Sequence, residues 1–218
     1  MSTLLAIDTS TPQGSVAVLD PGSGAFLFSE SFQAGRSHSA QLFVVLERAL
    51  AELPGGRLGE IVVGLGPGSY AGVRIAISAA IGLALGRGAR LTGIPSVAAL
   101  AGPGEGETGY IAVGDARRES FYFAVVRGGE LAEGPELVSA GELVARVAGA
   151  GNLALCTTEL SPAFEAVRGL PLPKLRHPCA RQLATLAAAG KSVIARDLLE
   201  PIYLREPHIT APRSVSSE

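Results

Sequence analysis

A helix that is apolar nearly all round constrains this chain more than any other stretch of its sequence. Residues 64–86 read GLGPGSYAGVRIAISAAIGLALG, a glycine- and proline-rich loop that opens into the helix. From the second turn onward, only Arg74, Ser78 and Gly82 interrupt the apolar run before the final glycine, and their spacing of four residues places them on one stripe. Such a helix must be covered on every side, by its own core or by a partner. We therefore predict that one side packs within its own domain and that the other side contacts a second chain.

Composition and charge limit the classes of function. The 218 residues suffice for one large domain or two small lobes, and 47% hydrophobic with 17% charged residues is typical of a globular protein. A formal net charge of −2 provides no electrostatic footprint for nucleic acid, so we expect any contact with RNA to be made through other chains. Cys156 and Cys179 lie far apart and outside any CxxC pair, which favours a reducing compartment over a disulfide scaffold.

No segment indicates export or membrane insertion. The amino terminus has a short apolar run without a positively charged segment before it, so no signal peptide is predicted. The most apolar helix contains Arg74 and, at about 17 residues, is shorter than the roughly 20 residues that a membrane span requires. We therefore expect a cytoplasmic protein that makes no contact with a membrane.

The amino-terminal residues are rich in strand signals. Apolar runs at 4–7, 15–19 and 26–32 are separated by polar, glycine-rich turns, which predicts three antiparallel strands. Apolar residues then recur at the three-and-four spacing of an amphipathic helix from Leu42 to Leu53. The sequence therefore predicts an α/β lobe that contains this helix and the apolar one.

The second half of the chain repeats the pattern of the first. A segment of glycine, proline and glutamate at 102–107 divides the chain into two predicted lobes, 1–102 and 103–218. Soon after it, the apolar run IAVGD ends at Asp115, as the run LLAID near the amino terminus ends at Asp8. One such match can arise by chance, but its position after the linker favours duplication of a lobe.

Two stretches resemble phosphate-binding turns. Asp8 ends a strand and is followed by hydroxyl residues and a tight turn, which can hold a metal-bound phosphate; the alternative, favoured by the local sequence, is a hairpin in which Asp8 and Ser10 bond their own turn. The loop GLGPGS before the apolar helix lacks both the dinucleotide and the Walker pattern, and a sharp strand-to-helix turn explains its glycines equally well. The candidate nucleotide-binding residues are Asp8, Thr9, Ser10, Gly66, Gly68 and Asp115.

No catalytic or metal constellation is visible in the sequence. The histidines His38, His177 and His208 form no ligand cluster, and neither a Ser-His-Asp nor a Cys-His arrangement can be argued. The stretch DARRE that begins at Asp115 is typical of a solvated hairpin tip, with contact to a ligand or partner as the alternative. We therefore predict no catalytic residue and no metal ligand.

Several blocks of the sequence resemble one protein family. In chain order they read LLAIDTSTPQGSVAV, GPGSYAGVRIAISAAIGLALG, GIPSVAAL, GDARRESFYFAV and PIYLR. They cover nearly the whole chain and resemble the TsaB (YeaZ) family, whose members take part in the threonylcarbamoyl modification of adenosine 37 in transfer RNA. The block GPGSYAGVRI is the most specific of these resemblances.

The resemblance implies a fold and a role. The implied fold is α/β with two RNase H-like lobes of the actin-like ATPase type, mixed sheets flanked by helices and a reduced C-terminal lobe. Members of the family look like degenerate relatives of the catalytic subunit TsaD, which carries a histidine pair on its first long helix where this chain has only His38. The expected role is therefore a noncatalytic subunit without a cofactor of its own, with ATP and magnesium used at the level of the complex.

The resemblance also implies partners. Two helices of the N-terminal lobe, here roughly 39–53 and 70–86, would form a bundle with the equivalent helices of TsaD or, in a homodimer of the isolated protein, of a second copy. The ATPase TsaE would dock on the pair, and tRNA would be reached only through the complex. The predicted contact residues are Leu42, Val45, Leu46, Ala49, Arg74, Ser78, Ile81, Gly82 and Leu85.

Two other functions remain open at this point. One is an ATP-binding hydrolase or phosphotransferase of the actin-like fold that uses Asp8 and Asp115. The other, less favoured by the residues, is a metallopeptidase.

Overall fold

The computed structural model describes residues 3–33, 38–100 and 109–204, without the side chains of His38 and Ser39. The predicted linker at 102–107, the residues after 204 and His208 lie outside this range. The eleven strands found there are β1 (Thr3–Asp8), β2 (Gln13–Asp20), β3 (Ala25–Gln33), β4 (Leu58–Gly64), β5 (Arg90–Ile94), β6 (Tyr110–Asp115), β7 (Ser120–Arg127), β8 (Glu130–Ser139), β9 (Ala154–Thr157), β10 (Lys174–Leu175) and β11 (Ala195–Arg196).

The helices lie between groups of one to four strands along the chain. They are α1 (His38–Ala51), α2 (Tyr70–Arg87), α3 (Ala140–Gly149), α4 (Pro162–Ala166) and α5 (Ala180–Ala188), with short 3₁₀ turns at Pro54–Gly56 and Ser96–Ala99. The two long helices predicted for the first lobe are confirmed, with ends that lie within two residues of the predicted ones.

The two sheets share one strand order, apart from the additional edge strand β11 in the first. The first runs β11-β5-β4-β1-β2-β3 and the second β10-β9-β6-β7-β8. In each, the opening strand pairs antiparallel with the next strand and parallel with a later one, β1 with β4 and β6 with β9. The predicted α/β class with mixed sheets flanked by helices is confirmed, and the strand pattern of the first half recurs in the second, as duplication of a lobe predicts. The second sheet is the smaller one, since β9 and β10 have only four and two residues.

The central strand β1 is buried on both faces, which explains its unbroken apolar run. Leu5 and Ile7 face the core that is shared with α1 and α2. Leu4 and Ala6 face the opposite core, which contains α5 and the turn Ser96–Ala99. The first sheet is therefore covered by helices on both faces.

Helix α2 packs on this sheet by one side only. The Ser69 hydroxyl caps its first turn by accepting from the Gly72 N–H at 3.1 Å, and Gly88 ends it in the left-handed conformation. Its buried residues, which include Val73, Ile77 and Ala80, belong to the core of the first lobe. The predicted burial of one side within its own lobe is confirmed.

The end of the described chain returns to the first lobe. Helix α5 packs against β1 and β2, β11 pairs antiparallel with β5, and the Ile202 N–H donates to the Leu65 carbonyl at 2.8 Å. The predicted boundary placed all of 103–218 in the second lobe, whereas residues 180–202 complete the first one. The physical reason is that β5 would otherwise be an open edge and one face of the sheet would lack a helix.

The two lobes contact each other through a separate hydrophobic cluster. Val97 and Leu100 of the first lobe pack against residues of β6 and β7. The buried Tyr110 hydroxyl donates to the Val97 carbonyl at 2.8 Å and accepts from the Leu100 N–H at 3.1 Å. This contact ties the first strand of the second lobe to the 3₁₀ turn of the first.

We predict that Tyr110→Phe lowers the free energy of unfolding by about 1–3 kcal/mol, because it leaves a buried carbonyl and a buried N–H without this partner. Urea denaturation of both proteins measures the change. The matched substitution Tyr203→Phe, at an exposed tyrosine, should alter stability by less than about 0.5 kcal/mol. Equal effects of the two substitutions would contradict the proposed importance of the Tyr110 contacts.

Candidate functional site

Helices α1 and α2 expose an apolar surface on the side away from the sheet. Phe43 and Val44 of α1 are 56% and 54% exposed, and Leu85 of α2 is 83% exposed. Between the helices lies a shallow depression of about 540 Å³, which we call the helix-pair groove, lined by Phe43, Arg74, Ser78, Ala79, Gly82 and Leu83. Contiguous exposed apolar surface of this kind marks interaction sites in soluble proteins.

The residues predicted on α2 lie on this exposed side. Arg74, Ser78, Ile81, Gly82 and Leu85 are all exposed. A Cβ added at Gly82 would have no atom within 4 Å, so the small residue is not required by packing inside the lobe. The exposure of the stripe is as predicted, and its contact with a second chain stays a prediction.

The residues predicted on α1 are not available to a partner. Each is at most 3% exposed and contributes to the core of the first lobe: Leu42, Val45, Leu46 and Ala49. Helical spacing identifies the apolar stripe that packs on the helix's own sheet, and that is the stripe the prediction chose. The signal for the outer face was the pair Phe43 and Val44, two large apolar residues outside the buried stripe.

A cluster at the start of α2 extends the exposed surface. An Nη atom of Arg74 donates to the Tyr70 hydroxyl at 2.5 Å, and the Tyr70 ring stacks on Tyr203 with centroids 5.0 Å apart. Arg74 and Tyr203, with Glu200 and Pro201, line a further depression of about 420 Å³ next to the groove. The contribution of residues 200–203 was not predicted, since nothing local in the sequence links them to α2.

Asp8 is held inside the protein. One carboxylate oxygen accepts from the Ser10 N–H and hydroxyl at 2.8 and 2.7 Å, and the other accepts from the Ser96 hydroxyl at 2.7 Å. The Ser96 oxygen in turn accepts from the Gly66 N–H at 2.9 Å. Complete burial raises the pKa of Asp8 above its ordinary value, although the hydrogen bonds from Ser96 and Ser10 oppose the shift. The hairpin interpretation, in which Asp8 and Ser10 bond their own turn, is confirmed.

The amino terminus of α2 covers the turn after Asp8. The Thr9 hydroxyl donates to the Gly72 carbonyl at 2.7 Å, and the Ser69 N–H donates to the Ser10 carbonyl at 2.7 Å. A Cβ added at Gly72 would lie 1.9 Å from the Thr9 carbonyl oxygen, and one at Gly68 would lie 2.2 Å from that of Ser10. These glycines allow the backbone of α2 to approach the turn closely.

A cleft of about 470 Å³ lies between the lobes. It brings together three of the candidate nucleotide-binding residues, Ser10, Gly68 and Asp115, but not the other three, Asp8, Thr9 and Gly66. Tyr70, Tyr122 and Tyr203 also line it. The start of α2 therefore lies between this cleft and the depression that Arg74 and Tyr203 line.

The charged residues that line the cleft are two carboxylates and one arginine. Arg117 contacts the Asp115 carboxylate at 2.8 Å and the Glu159 carboxylate at 3.3 Å. Burial alone would raise the pKa of Asp115, but hydrogen bonds from Ser161 and Arg117 hold it below its ordinary value, whereas burial raises the pKa of Glu159. Arg117 is already paired with two carboxylates, so this cleft offers a nucleotide phosphate no uncommitted arginine among the residues lining it.

The described ranges contain no metal-ligand cluster and one long apolar helix. Within 3–33, 38–100 and 109–204, no group of three or more His, Cys, Asp or Glu residues could hold a metal ion. Helix α2 is long and apolar enough to cross a membrane by length and composition alone, with a mean hydropathy of 1.2. The core packing of Val73, Ile77 and Ala80 identifies it as a helix of the first lobe.

Comparison with known proteins identifies relatives over most of the chain. The family model described as TsaD, tRNA N6-adenosine threonylcarbamoyltransferase, matches residues 32–198. An uncharacterised Mycobacterium bovis protein is 30% identical over 95% of this chain and 93% of its own length. The Haemophilus influenzae tRNA threonylcarbamoyladenosine biosynthesis protein TsaB is 28% identical over 93% of both. The chain spans only 56% of a longer Mycobacterium leprae relative, which is 30% identical over 95% of this chain.

Solved structures from Pseudomonas aeruginosa share the whole architecture. An uncharacterised protein described as similar to the peptidase YEAZ superposes with a TM-score of 0.75 at 29% identity, covering 94% of this chain and 100% of the other. YeaZ from the same organism gives a TM-score of 0.68 at 25% identity with the same coverage.

We predict opposite effects of glycine-to-alanine substitution at two positions of α2. Gly72→Ala should lower the free energy of unfolding by about 2–4 kcal/mol, because its methyl group would overlap the Thr9 carbonyl. Gly82→Ala should raise it by about 0.5–1 kcal/mol, because the position is open and alanine favours the helix. Urea denaturation of the two variants checks both signs. Equal effects would mean that α2 does not approach the turn as described.

We predict a pH dependence of stability that comes from Asp8. Because its pKa is raised in the folded state, its contribution is fully present below the ordinary value near 3.8 and is lost as the pH rises through the folded pKa. The free energy of unfolding of the protein, relative to Asp8→Asn, should therefore fall as the pH rises over that window. Unfolding measured between about pH 3 and 8 checks this.

Asp20 provides a control of opposite sign. Hydrogen bonds from Ser23 and Gly22 lower its pKa, so its contribution should be present above the ordinary value and lost as the pH falls. The free energy of unfolding of the protein, relative to Asp20→Asn, should therefore rise as the pH rises. A stability difference between the protein and Asp8→Asn that does not vary with pH would contradict the assignment of Asp8.

Proposed function

The chain belongs to the TsaB family, which takes part in tRNA threonylcarbamoyladenosine biosynthesis, and on that premise we propose that it is a noncatalytic, cytoplasmic subunit of the modification of adenosine 37. In this proposal it binds and activates a TsaD-like catalytic subunit, together with a TsaE-like ATPase. Contact with tRNA would be made through the complex, in keeping with the net charge of −2.

The observation that carries the proposal is the helix-pair groove. Helix α2 is apolar on both sides, and the lobe's own core covers only one of them. Small residues at Ser78 and Gly82 allow a second helix to approach the backbone of α2 closely. The exposed side chains of Phe43 and Leu85 would contribute apolar area to the contact.

The similarity to the TsaD family supports a helix pair as the partner surface. The match at residues 32–198 includes both α1 and α2, so a TsaD-like chain carries segments that correspond to them. Two related helix pairs can pack face to face as a four-helix bundle, with the groove of each receiving a helix of the other. The isolated protein could use the same surface to form a homodimer.

The described chemistry supports an accessory role. Asp8, the residue best placed by sequence to act on a phosphate, is fully buried with both oxygens bonded to serine donors and a backbone N–H. Arg117 in the cleft is already paired with carboxylates. We therefore propose that ATP and magnesium are bound by the other subunits.

The rival function, an ATP hydrolase or phosphotransferase, makes a distinct prediction. It requires the isolated chain to bind magnesium and ATP and to lose turnover in the variant Asp8→Asn. Calorimetry and a phosphate-release assay on the isolated chain should detect neither tight binding nor turnover. Binding together with turnover that Asp8→Asn abolishes would overturn the proposal.

We predict that Gly82→Arg prevents assembly with the TsaD-like subunit. The position is open, so the arginine should leave the isolated fold intact while it blocks the groove. Gly141→Arg is the control, because Gly141 is an exposed helical glycine of the second lobe that also has no atom within 4 Å of an added Cβ. Co-purification and size-exclusion chromatography with the TsaD-like protein should show a complex for the control and none for Gly82→Arg.

The same variants test the role in modification. A reaction reconstituted with the TsaD-like and TsaE-like proteins should form modified tRNA with this chain or with Gly141→Arg. It should fail when the chain is omitted or replaced by Gly82→Arg. If Gly82→Arg still assembles and supports modification, the helix-pair groove is the wrong surface.

A further inference from the structure

Arg74 lies at the point where the helix-pair groove meets the depression formed by residues 200–203, since its side chain lines both. Among the described residues, no carboxylate lies within 4.0 Å of its guanidinium group. Glu200 lines the same depression but forms no ion pair with it. By contrast, several arginines of the described ranges lie within 4.0 Å of a described carboxylate, among them Arg48, Arg90, Arg117, Arg146 and Arg196.

Neutral neighbours hold the Arg74 guanidinium at the edge of the groove. It donates to the Tyr70 hydroxyl at 2.5 Å and its central carbon lies 5.1 Å from the centroid of the Tyr70 ring. Tyr203 stacks on Tyr70, and the backbone bond from Ile202 to Leu65 fixes the segment that carries Tyr203. Because its side chain already has these contacts, less rotamer entropy remains to be lost when a partner binds.

Docking of an apolar helix on the groove would remove the guanidinium group from water. A charge that is buried without an opposite charge keeps its full desolvation cost, whereas one that meets a carboxylate gains both affinity and orientation. A guanidinium group also carries several N–H donors, of which the Tyr70 contact uses one. The partner surface therefore needs an acidic group opposite Arg74.

We infer that the TsaD-like subunit presents a carboxylate side chain to Arg74 when its helices occupy the helix-pair groove. The inference rests on the proposed function and specifies the chemistry of its partner surface. The apolar groove supplies contact area, and the single charge pair at its end fixes which way the partner helices run.

The test compares the affinity of the TsaD-like protein for four forms of this chain: unchanged, Arg74→Gln, Arg74→Lys and Arg87→Gln. The control Arg87 lies at the other end of α2 and donates to the Gly56 carbonyl of its own chain. Affinities are measured by calorimetry at about 50 and 300 mM salt. Thermal unfolding of each variant shows that an altered affinity does not come from an altered fold.

We expect Arg74→Gln to weaken binding by about 30-fold or more at low salt, because it leaves the partner's carboxylate unpaired. It should also reduce the loss of affinity that the unchanged chain shows at high salt. Arg74→Lys should keep the salt dependence, since it keeps the charge, and Arg87→Gln should behave like the unchanged chain.

Failure of this inference and failure of the proposed function give different results. If Gly82→Arg prevents binding while Arg74→Gln keeps both affinity and salt dependence, the carboxylate is absent and only the inference is overturned. If Gly82→Arg binds normally, the groove is not the docking surface and both are overturned. If Arg74→Gln changes only self-association, the acidic group belongs to a second copy of this chain, which also overturns the inference.

Discussion

The close backbone contact between the start of α2 and the turn after β1 fixes the position of α2 on the first sheet, and the exposed surface of the lobe depends on that position. Gly68 and Gly72 allow α2 to lie against the carbonyls of Thr9 and Ser10, and two hydrogen bonds fix the contact. The contact sets the direction in which α2 leaves the sheet.

The surroundings of this contact differ between the buried turn on one side and the exposed helix on the other. Below it, Asp8 is surrounded by serine hydroxyls and backbone and acts as a buried structural link between β1 and the turn that contains Ser96. Above it, α2 continues with one side in the core and the other exposed beside α1. The turn after β1 therefore positions α2 so that one of its sides stays exposed beside α1.

The return of the chain after the second lobe connects the remaining parts. Helix α5 covers the second face of the first sheet, β11 closes its edge, and Tyr203 then reaches Tyr70 at the start of α2. Residues 200–204 consequently border both the inter-lobe cleft and the exposed surface of α2. The proposed docking surface is therefore bordered by residues from both halves of the chain, although its two helices lie in the first half.

The sequence by itself determined the features that depend on neighbouring residues: the strand runs, the two long helices, the repeated lobe and the exposed stripe Arg74, Ser78 and Gly82, because periodicity reports which side chains share a face. Only the tertiary structure decided which face of α1 is free, where residues 180–204 belong and what Asp8 does. Those outcomes depend on contacts between distant residues, such as Thr9 with Gly72 across 63 positions and Asp8 with Ser96 across 88. Local patterns carry no information about such pairs, since each residue has several possible hydrogen-bond partners and only the packing of the folded chain selects one.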